Sequence, residues 1–266
     1  MYLSRRARYT LGGITALVFL VMYFPILYIA RLSFNEAKGY TWPPHGFTLE
    51  WWQKAYHASG PRDALMHSLQ TAALATIFAL VLGTLTGFAL TRYNFIGRST
   101  VSLLVVLPIA LPGIVTGIAL NSGFHRVGIK LSLFTLVVAH ATFCIVIVFN
   151  NVSARLRRIA PSVEEASADL GADIFQTFRF ITFPLLRTAL LAGGLLAFAL
   201  SFDEIIVTPF TVGGFQTLPM WIFANMFRPN NLPLVNVVAT VVVLLSVIPV
   251  YFAQRLTERG IVTAGG

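Results

Sequence analysis

The chain has 266 residues, of which 56% are apolar and only 11% are charged. A soluble domain usually carries about 25% charged residues, and a soluble protein this apolar cannot cover its surface with polar groups. Composition therefore excludes a disordered chain and argues against a soluble enzyme. The net charge of +9 comes from basic residues that flank apolar runs, which indicates membrane orientation rather than nucleic-acid binding.

Charge-free runs recur along the whole chain, and a membrane helix needs about 20 predominantly apolar residues. They predict an all-α integral membrane protein whose single transmembrane domain covers residues 1–266. The six predicted spans lie near 10–31, 67–91, 100–121, 131–151, 187–210 and 234–255. Residues 211–233 carry glycines, prolines and asparagines that are typical of an irregular loop.

The basic residues predict how the chain is threaded. Arg5, Arg6 and Arg8 precede an apolar run longer than the roughly 7–15 residues of a cleavable signal, so the first span is expected to be retained. Six spans from an inside N-terminus place both ends inside. Of the 19 Lys and Arg residues, 12 then fall in inside segments, in agreement with an N-in, C-in orientation.

Glycines in two spans indicate close helix packing. Gly83 and Gly87 in the second span, and Gly113 and Gly117 in the third, are spaced four apart, which lets two helix backbones approach. Pro112 and a second proline four residues earlier favour a kink in the third span. That kink suits a helix lining a pathway, and equally an ordinary bent helix.

Catalytic and metal-binding patterns are missing from the sequence. The chain has no G-x-x-x-x-G-K-[S/T] phosphate loop and no recognisable Ser, His and Asp set, so it is not predicted to be an enzyme. The five histidines show no metal-ligand spacing, and no metal site is predicted. Cys144, the single cysteine, excludes an internal disulfide and is expected to be a small core residue of the fourth span.

The longest inside segment, about 152–186, is too long for a simple hairpin and is predicted to hold two short helices. Pro161 suits the first position of the first helix, and Ser162 with Glu165 fits a capping box. Gly171 fits the end of that helix, where a left-handed residue is needed.

The second helix of this segment is expected to begin at Asp173, which can cap it together with Gln176. Pro184 is expected to end it, because proline cannot continue a helix interior.

The same segment resembles the EAA signature of ATP-binding-cassette (ABC) importer permeases. The residues that carry the likeness are Glu165, Ala166, Gly171, Ile181 and Pro184. The signature usually has alanine where this chain has Ser167, and leucine where it has Phe183. The signature lies between the fourth and fifth predicted spans, where such permeases carry it.

The resemblance implies the type I ABC importer permease fold, with a coupling helix that docks on a cytoplasmic ATPase subunit. The residues of the implied coupling loop are Glu164, Glu165, Ala166, Ser167, Gly171, Ala172, Ile181 and Pro184. The two glutamates suit docking against basic residues of that partner as well as plain capping of a solvated helix. The further implied partners are a second ATPase copy, a second, homologous permease and an extracytoplasmic solute-binding protein. ATP and Mg are used by the ATPase, with no cofactor bound by this chain.

Two of the ten acids, Asp203 and Glu204, lie near the outer half of the predicted fifth span. Acids at membrane depth are costly and often mark a pathway; the alternative is that they are wetted and only anchor the helix end. The surrounding segment resembles polyamine permeases of the spermidine/putrescine type, and the chain is similar to the second permease of such a pair. The hypothetical pathway residues are Ser201, Phe202, Asp203, Glu204, Pro112 and Trp221.

The resemblance predicts a multi-pass permease of the bacterial inner membrane that moves a polyamine-like cation by alternating access. One alternative is an ABC permease for another small solute, such as iron or a phosphonate. A second alternative, from a different class, is a secondary cation transporter that uses Asp203 and Glu204 for coupling. A third alternative is a purely structural membrane subunit. The absence of a convincing internal repeat argues against the secondary transporter.

Overall fold

The computed structural model describes residues 4–39 and 42–262, with the backbone alone described for 248–262. Within these ranges the chain is built from helices and the turns that join them. In chain order the helices are α1 (Arg5–Leu32), α2 (Glu50–His57), α3 (Ser59–Arg92), α4 (Arg98–Ala110), α5 (Gly113–Arg126), α6 (Leu133–Leu156), α7 (Pro161–Asp169), α8 (Ile174–Thr177), α9 (Phe183–Phe202), α10 (Thr208–Thr211), α11 (Leu218–Met226) and α12 (Leu232–Val262). A π-helical turn, Phe178–Thr182, joins α8 to α9.

The chain divides into two compact units. Unit one comprises Met1–Pro61 and Ile222–Gly266, and unit two comprises Arg62–Trp221. In unit one, α12 packs against α1 and α2. In unit two, α6 packs most extensively against α9 and also contacts α4, α5 and α10. All the candidate functional residues predicted from the sequence lie in unit two.

The core of unit two is centred on α6, which is apolar on every side. Leu136, Cys144, Val148, Val152 and Leu156 of this helix are fully buried. A helix that is hydrophobic all round is typical of the interior of a bundle. The expectation that Cys144 is a small core residue is confirmed.

The glycines of α3 bring its backbone against α6. A Cβ added at Gly83 would lie 2.8 Å from the Cβ of Val148 and 2.9 Å from the backbone oxygen of Ile145. At Gly87 it would lie 2.9 Å from a methyl of Val152. The close approach predicted from this glycine pair is confirmed, because no larger residue fits at either position.

The helices of the described residues account for four or five membrane spans, not for all six that were predicted. Four helical stretches in the described residues are long and apolar enough to cross a membrane, namely α1, α3, α6 and the stretch Ile174–Phe202. The pair α4 and α5 would form a fifth span, and the described apolar part of α12, Leu232–Val247, is shorter. Six spans, the N-in, C-in orientation and a single transmembrane domain therefore stay predictions.

The third predicted span, 100–121, is not one kinked helix. It is two helices, α4 and α5, that meet at an angle of 110°. Pro112 has no N–H to donate, and it pushes Leu111 into an extended conformation with φ −82° and ψ 145°, as a residue before proline favours. The bend is therefore a break in the backbone hydrogen bonding rather than a gentle kink.

Two further boundaries differ from prediction. The fifth span was expected to reach residue 210, but α9 ends at Phe202 because the next residues form a turn. The segment 211–233 was expected to be an irregular loop, but it contains α11. Pro219 is the second residue of α11, where proline needs no intrahelical hydrogen bond, so its presence did not exclude a helix.

The packing of α3 against α6 predicts that a methyl group added at Gly83 destabilises the chain. Gly83→Ala should lower the apparent Tm of the purified chain, by an amount equivalent to about 1–3 kcal/mol, because the backbone oxygen of Ile145 cannot move aside. Gly12→Ala in α1 is the control, since a Cβ there would meet nothing within 4 Å. Equal Tm values for the two variants would contradict the close packing of α3 on α6.

Candidate functional site: the coupling loop and the acid turn

The first helix of the predicted coupling loop, α7, begins at Pro161 as expected. Its N-cap is Ala160, and no side chain caps this end. The capping box predicted for Ser162 and Glu165 is wrong, because Pro161 already occupies the first helical position and places Ser162 inside the helix. A residue inside the helix cannot serve as the N-cap.

The end of α7 is closed by two backbone hydrogen bonds around Gly171. Its φ is +85°, the N–H of Gly171 donates to Ala168 (2.9 Å), and the N–H of Ala172 donates to Ser167 (3.1 Å). This pair of bonds is a Schellman motif, so the predicted left-handed helix end at Gly171 is confirmed. Ser167, which stands where the signature usually has alanine, is buried and shares a hydrogen bond of 3.0 Å with the hydroxyl of Thr177.

The second helix of the loop begins as predicted but does not end as predicted. Asp173 and Gln176 form a reciprocal capping box, with bonds of 2.7 and 2.9 Å. The chain then passes through the π-helical turn directly into α9, so the expected stop at Pro184 is wrong. Pro184 lies in the first turn of α9, directly after the π-helical turn, so the helix continues through this position without an N–H from the proline.

The two adjacent glutamates of α7 point to different partners. Glu164 pairs with Arg92 at the end of α3, with 3.2 Å between Nε and Oε2, and also accepts a hydrogen bond of 3.3 Å from the hydroxyl of Thr182. The same guanidinium donates to the backbone oxygen of Ile159 at 3.3 Å. Glu165 is exposed. Glu164 therefore ties the predicted coupling loop to the end of α3, and Glu165 is exposed.

The turn between α7 and α8 carries three exposed apolar side chains. We call Leu170, Ile174 and Phe175, which are 90%, 86% and 68% exposed, the apolar tip. Single exposed apolar residues are ordinary, but a group of them where one short helix is followed by another is typical of a contact surface. The tip and Glu165 are thus an apolar group and an acidic group exposed on the same loop.

The two acids of the predicted fifth span lie just beyond the end of α9, rather than within it. We call residues 203–207 the acid turn. Asp203 is the C-cap of α9 and is exposed. The carboxylate of Glu204 accepts hydrogen bonds from the backbone N–H groups of Ile206 and Val207, immediately before α10. Glu204 is therefore held by two backbone N–H groups of the same turn, as in the anchoring alternative, whereas Asp203 is exposed in the isolated chain.

A buried histidine connects the acid turn to α6. His140 is 1% exposed; its Nδ1 lies 2.8 Å from the hydroxyl of Ser201, and its Nε2 lies 3.0 Å from that of Thr208. The Thr208 hydroxyl donates to the backbone oxygen of Glu204 at 2.8 Å, so it accepts from Nε2. A neutral imidazole then accepts at Nδ1 from Ser201, which completes a chain of three hydrogen bonds.

The break between α4 and α5 packs directly on this turn. A Cβ at Gly113, the residue after Pro112, would lie 3.0 Å from a methyl of Ile206. One at Gly117 would lie 2.6 Å from the ring of Phe210. The second glycine pair therefore serves the contact between α5 and the segment around α10, rather than contact between two long helices.

The structure thus brings only some of the predicted pathway residues close together. Ser201 and the backbone oxygen of Glu204 share the hydrogen-bond chain, Asp203 lies next to Glu204 in the acid turn, and Pro112 lies beside Gly113. Phe202 is half-buried and stacks on Phe198 with 6.1 Å between ring centroids. Trp221 is buried in α11.

Sequence reasoning missed two functional candidates, His140 and Arg92. A histidine inside an apolar span is costly unless it is bonded, and that cost was the available signal for His140. Arg92 was counted only as an inside positive charge. Within the described residues, no group of three or more His, Cys, Asp and Glu side chains is placed to hold a metal ion.

Comparison with known proteins relates the chain to membrane transport systems. The family model described as "Binding-protein-dependent transport system inner membrane component" matches residues 79–263. The spermidine/putrescine transport system permease protein PotC of Escherichia coli K12 is 34% identical over 93% of this chain and 93% of its own length. The putrescine transport system permease protein PotI of the same strain is 34% identical over 86% of this chain and 84% of its own length.

A solved structure supports the fold. The crystal structure of a bacterial ABC transporter that imports the acidic polysaccharide alginate contains a chain similar to this one, with a TM-score of 0.62 and 19% sequence identity. The match covers 97% of this chain and 99% of that chain. At this identity the likeness shows a shared fold alone.

The ion pair between Arg92 and Glu164 predicts a coupled loss of stability. Arg92→Gln should lower the free energy of unfolding by about 1–3 kcal/mol, because it leaves a partly buried carboxylate without its cation. Glu164→Gln should cost less, since an amide oxygen still accepts from Thr182.

A double-mutant cycle in the purified full-length chain checks this pair. The double variant should be more stable than the sum of the two single losses predicts. Strict additivity of the three changes in unfolding free energy would contradict the pairing.

Proposed function

This chain belongs to the family of binding-protein-dependent transport system inner membrane components, and we propose that it is the permease of an ATP-driven polyamine importer. The chain is a multi-pass protein of the bacterial inner membrane and acts as a transport subunit rather than as an enzyme. The solute proposed is spermidine or putrescine, and the observation that carries it is the 34% identity to PotC over 93% of both chains. The full proposal includes six spans in one domain with both termini inside.

The apolar tip and Glu165 are proposed as the surface that meets the ATPase. The tip is exposed in the isolated chain, although Leu170, Ile174 and Phe175 would each gain from leaving water. Glu165 lies on the same loop and is free to pair with a basic group of the partner. Glu164 is already paired with Arg92, so it is proposed to transmit force from the loop to the end of α3 rather than to dock.

Three kinds of partner complete the proposed importer. An ATPase dimer supplies ATP and Mg, a second, homologous permease shares the pathway, and an extracytoplasmic binding protein delivers the solute. Closure of the ATPase dimer on ATP would draw the coupling loops together and turn the pathway outward. Hydrolysis would reset it inward, which is a ligand-driven shift between two conformations.

Asp203 is proposed as the acid that meets an ammonium group of the polyamine. It is the exposed member of the acid pair, whereas Glu204 is held by two backbone N–H groups. A carboxylate and an ammonium about 4 Å apart in water attract by roughly 1 kcal/mol, and by more where water is excluded. Glu204 is proposed to shape the turn that presents Asp203, with Ser201, Phe202, Pro112 and Trp221 as further pathway residues.

Labelled spermidine uptake tests the proposed function. Vesicles that hold the full complex and its binding protein should take up spermidine only with ATP, and Glu165→Arg should abolish uptake by placing a positive charge on the docking surface. Glu164→Arg is the comparison variant that separates folding from docking. It should lower the Tm of the chain, whereas Glu165→Arg should leave the Tm unchanged. Uptake that is indifferent to ATP and to Glu165 would favour a secondary carrier instead.

Asp203→Asn should reduce the rate of spermidine uptake by about fivefold, the effect of roughly 1 kcal/mol. ATP hydrolysis stimulated by the binding protein should persist, since the coupling loop is untouched. Asp63→Asn, which removes another exposed acid of unit two, is the control. If both variants slow uptake equally, or neither does, Asp203 is not part of the pathway.

A further inference from the structure

A cavity of about 320 Å³ lies where the end of α3, the start of α4 and the end of α6 meet. It is on the face of unit two that carries α7, because Arg92 at the end of α3 pairs with Glu164 of α7. None of the residues that line it belongs to the coupling loop signature or to the acid turn. Its volume is at the lower end of the roughly 300–1,000 Å³ typical of ligand sites.

The polar side chains on the wall of this cavity are donors and positive charges. They are Thr91, Arg98, Ser99, Ser102, Ser153 and Arg157. No acid is among the described residues that line it. Guanidinium and hydroxyl groups without a neighbouring carboxylate form a site for an anion with several acceptor oxygens.

The start of α4 adds to the positive potential of the cavity. This helix has 13 residues, no side chain caps its first turn, and that turn carries no acid. The first N–H groups of a helix lack intrahelical partners, and the helix dipole favours an anion beside them. Ser99 lies in this first turn, so the helix end and the cavity share a wall.

Two arginines of the site differ in how they are held. The Nε and Nη2 of Arg98 donate to the backbone oxygen of Leu90 at 2.9 and 2.6 Å, and Nη1 donates to Asn94 at 2.7 Å. Its guanidinium is thus fixed before any ligand arrives, which reduces the entropy lost on binding. Arg157, at the end of α6, is exposed and can close on a ligand.

Ser153 gives an independent indication of a ligand. It is only 6% exposed, it lies on the cavity wall, and its hydroxyl has no hydrogen-bond partner in the described part of the chain. A buried hydroxyl without a partner costs about 1–3 kcal/mol. The Ser153 oxygen faces Gly87 of α3, 3.5 Å from where a Cβ would lie. Rotation of the Ser153 side chain towards the cavity would let it donate to an acceptor oxygen there and remove that cost.

We propose that this cavity binds the phosphate group of an anionic phospholipid, such as phosphatidylglycerol. The lipid is favoured over free phosphate because α4, which begins at the cavity, exposes Leu103 and Leu104 at 66% and 58%. Acyl chains therefore have an apolar surface next to the phosphate site. Basic pockets between the ends of membrane helices are suited to anionic headgroups, which are enriched on the cytoplasmic side.

Native mass spectrometry of the full-length chain in detergent tests this site with three probes: phosphatidylglycerol, phosphatidylcholine and inorganic phosphate. Phosphatidylglycerol should bind more tightly than the other two. Arg157→Gln should weaken its binding about tenfold, as expected for the loss of one charge-assisted hydrogen bond. Ser102→Leu, which fills the cavity without changing charge, should weaken binding as well.

Arg158→Gln is the matched control, since this exposed arginine is adjacent in sequence but does not line the cavity. Unchanged binding in this variant together with the loss in Arg157→Gln supports the site. Equal weakening by both variants would show attraction to surface charge only. Equal binding of phosphatidylcholine, or tighter binding of inorganic phosphate, would overturn the assignment to an anionic lipid.

Discussion

Unit two depends on one constraint: in an apolar environment, every interruption of a helix leaves backbone groups that need a partner. The chain interrupts its helices twice, at Pro112 and in the acid turn. The two interruptions pack on each other, with Gly113 against Ile206. The freed groups of the acid turn are then bonded locally, since the carboxylate of Glu204 accepts from two N–H groups and its backbone oxygen accepts from Thr208. These local bonds and the contact with α5 therefore hold the irregular backbone that carries Asp203.

In unit two, a pair of adjacent acids, one bonded within the chain and one exposed, occurs both in α7 and in the acid turn. One glutamate of α7 is held inside by Arg92 and Thr182, and the next one, Glu165, is exposed. In the acid turn Glu204 is held and Asp203 is exposed. In each pair one acid is bonded within the chain, and its neighbour is exposed at a position that the bonded acid helps to fix. The interior ion pair also gives a direct physical link between the loop proposed to meet the ATPase and the long helix α3.

Local chemistry explains which features could be read from the sequence. The end of α7 at Gly171 was predictable because a Schellman motif needs only neighbouring residues. The pairing of Arg92 with Glu164, and of His140 with Thr208, joins positions about 70 residues apart, and no local pattern encodes such a contact. The boundaries of the third and fifth spans failed for a related reason. Composition reports whether a stretch is apolar, but it does not report where tertiary contacts allow the helix to stop.

Hydrogen–deuterium exchange tests most directly whether the hydrogen bonds of His140 hold the acid turn in place. Thr208→Val keeps the shape of the side chain but removes the link between the imidazole and the backbone of Glu204. Exchange of the amides in 203–211 should accelerate roughly tenfold or more, because the cost of the unpaired groups, about 1–3 kcal/mol, lowers the free energy of local opening. Thr86→Val, which removes a hydroxyl of α3 that donates to Leu82 of the same helix, should leave that exchange unchanged. Equal exchange in the wild type and Thr208→Val would contradict the account.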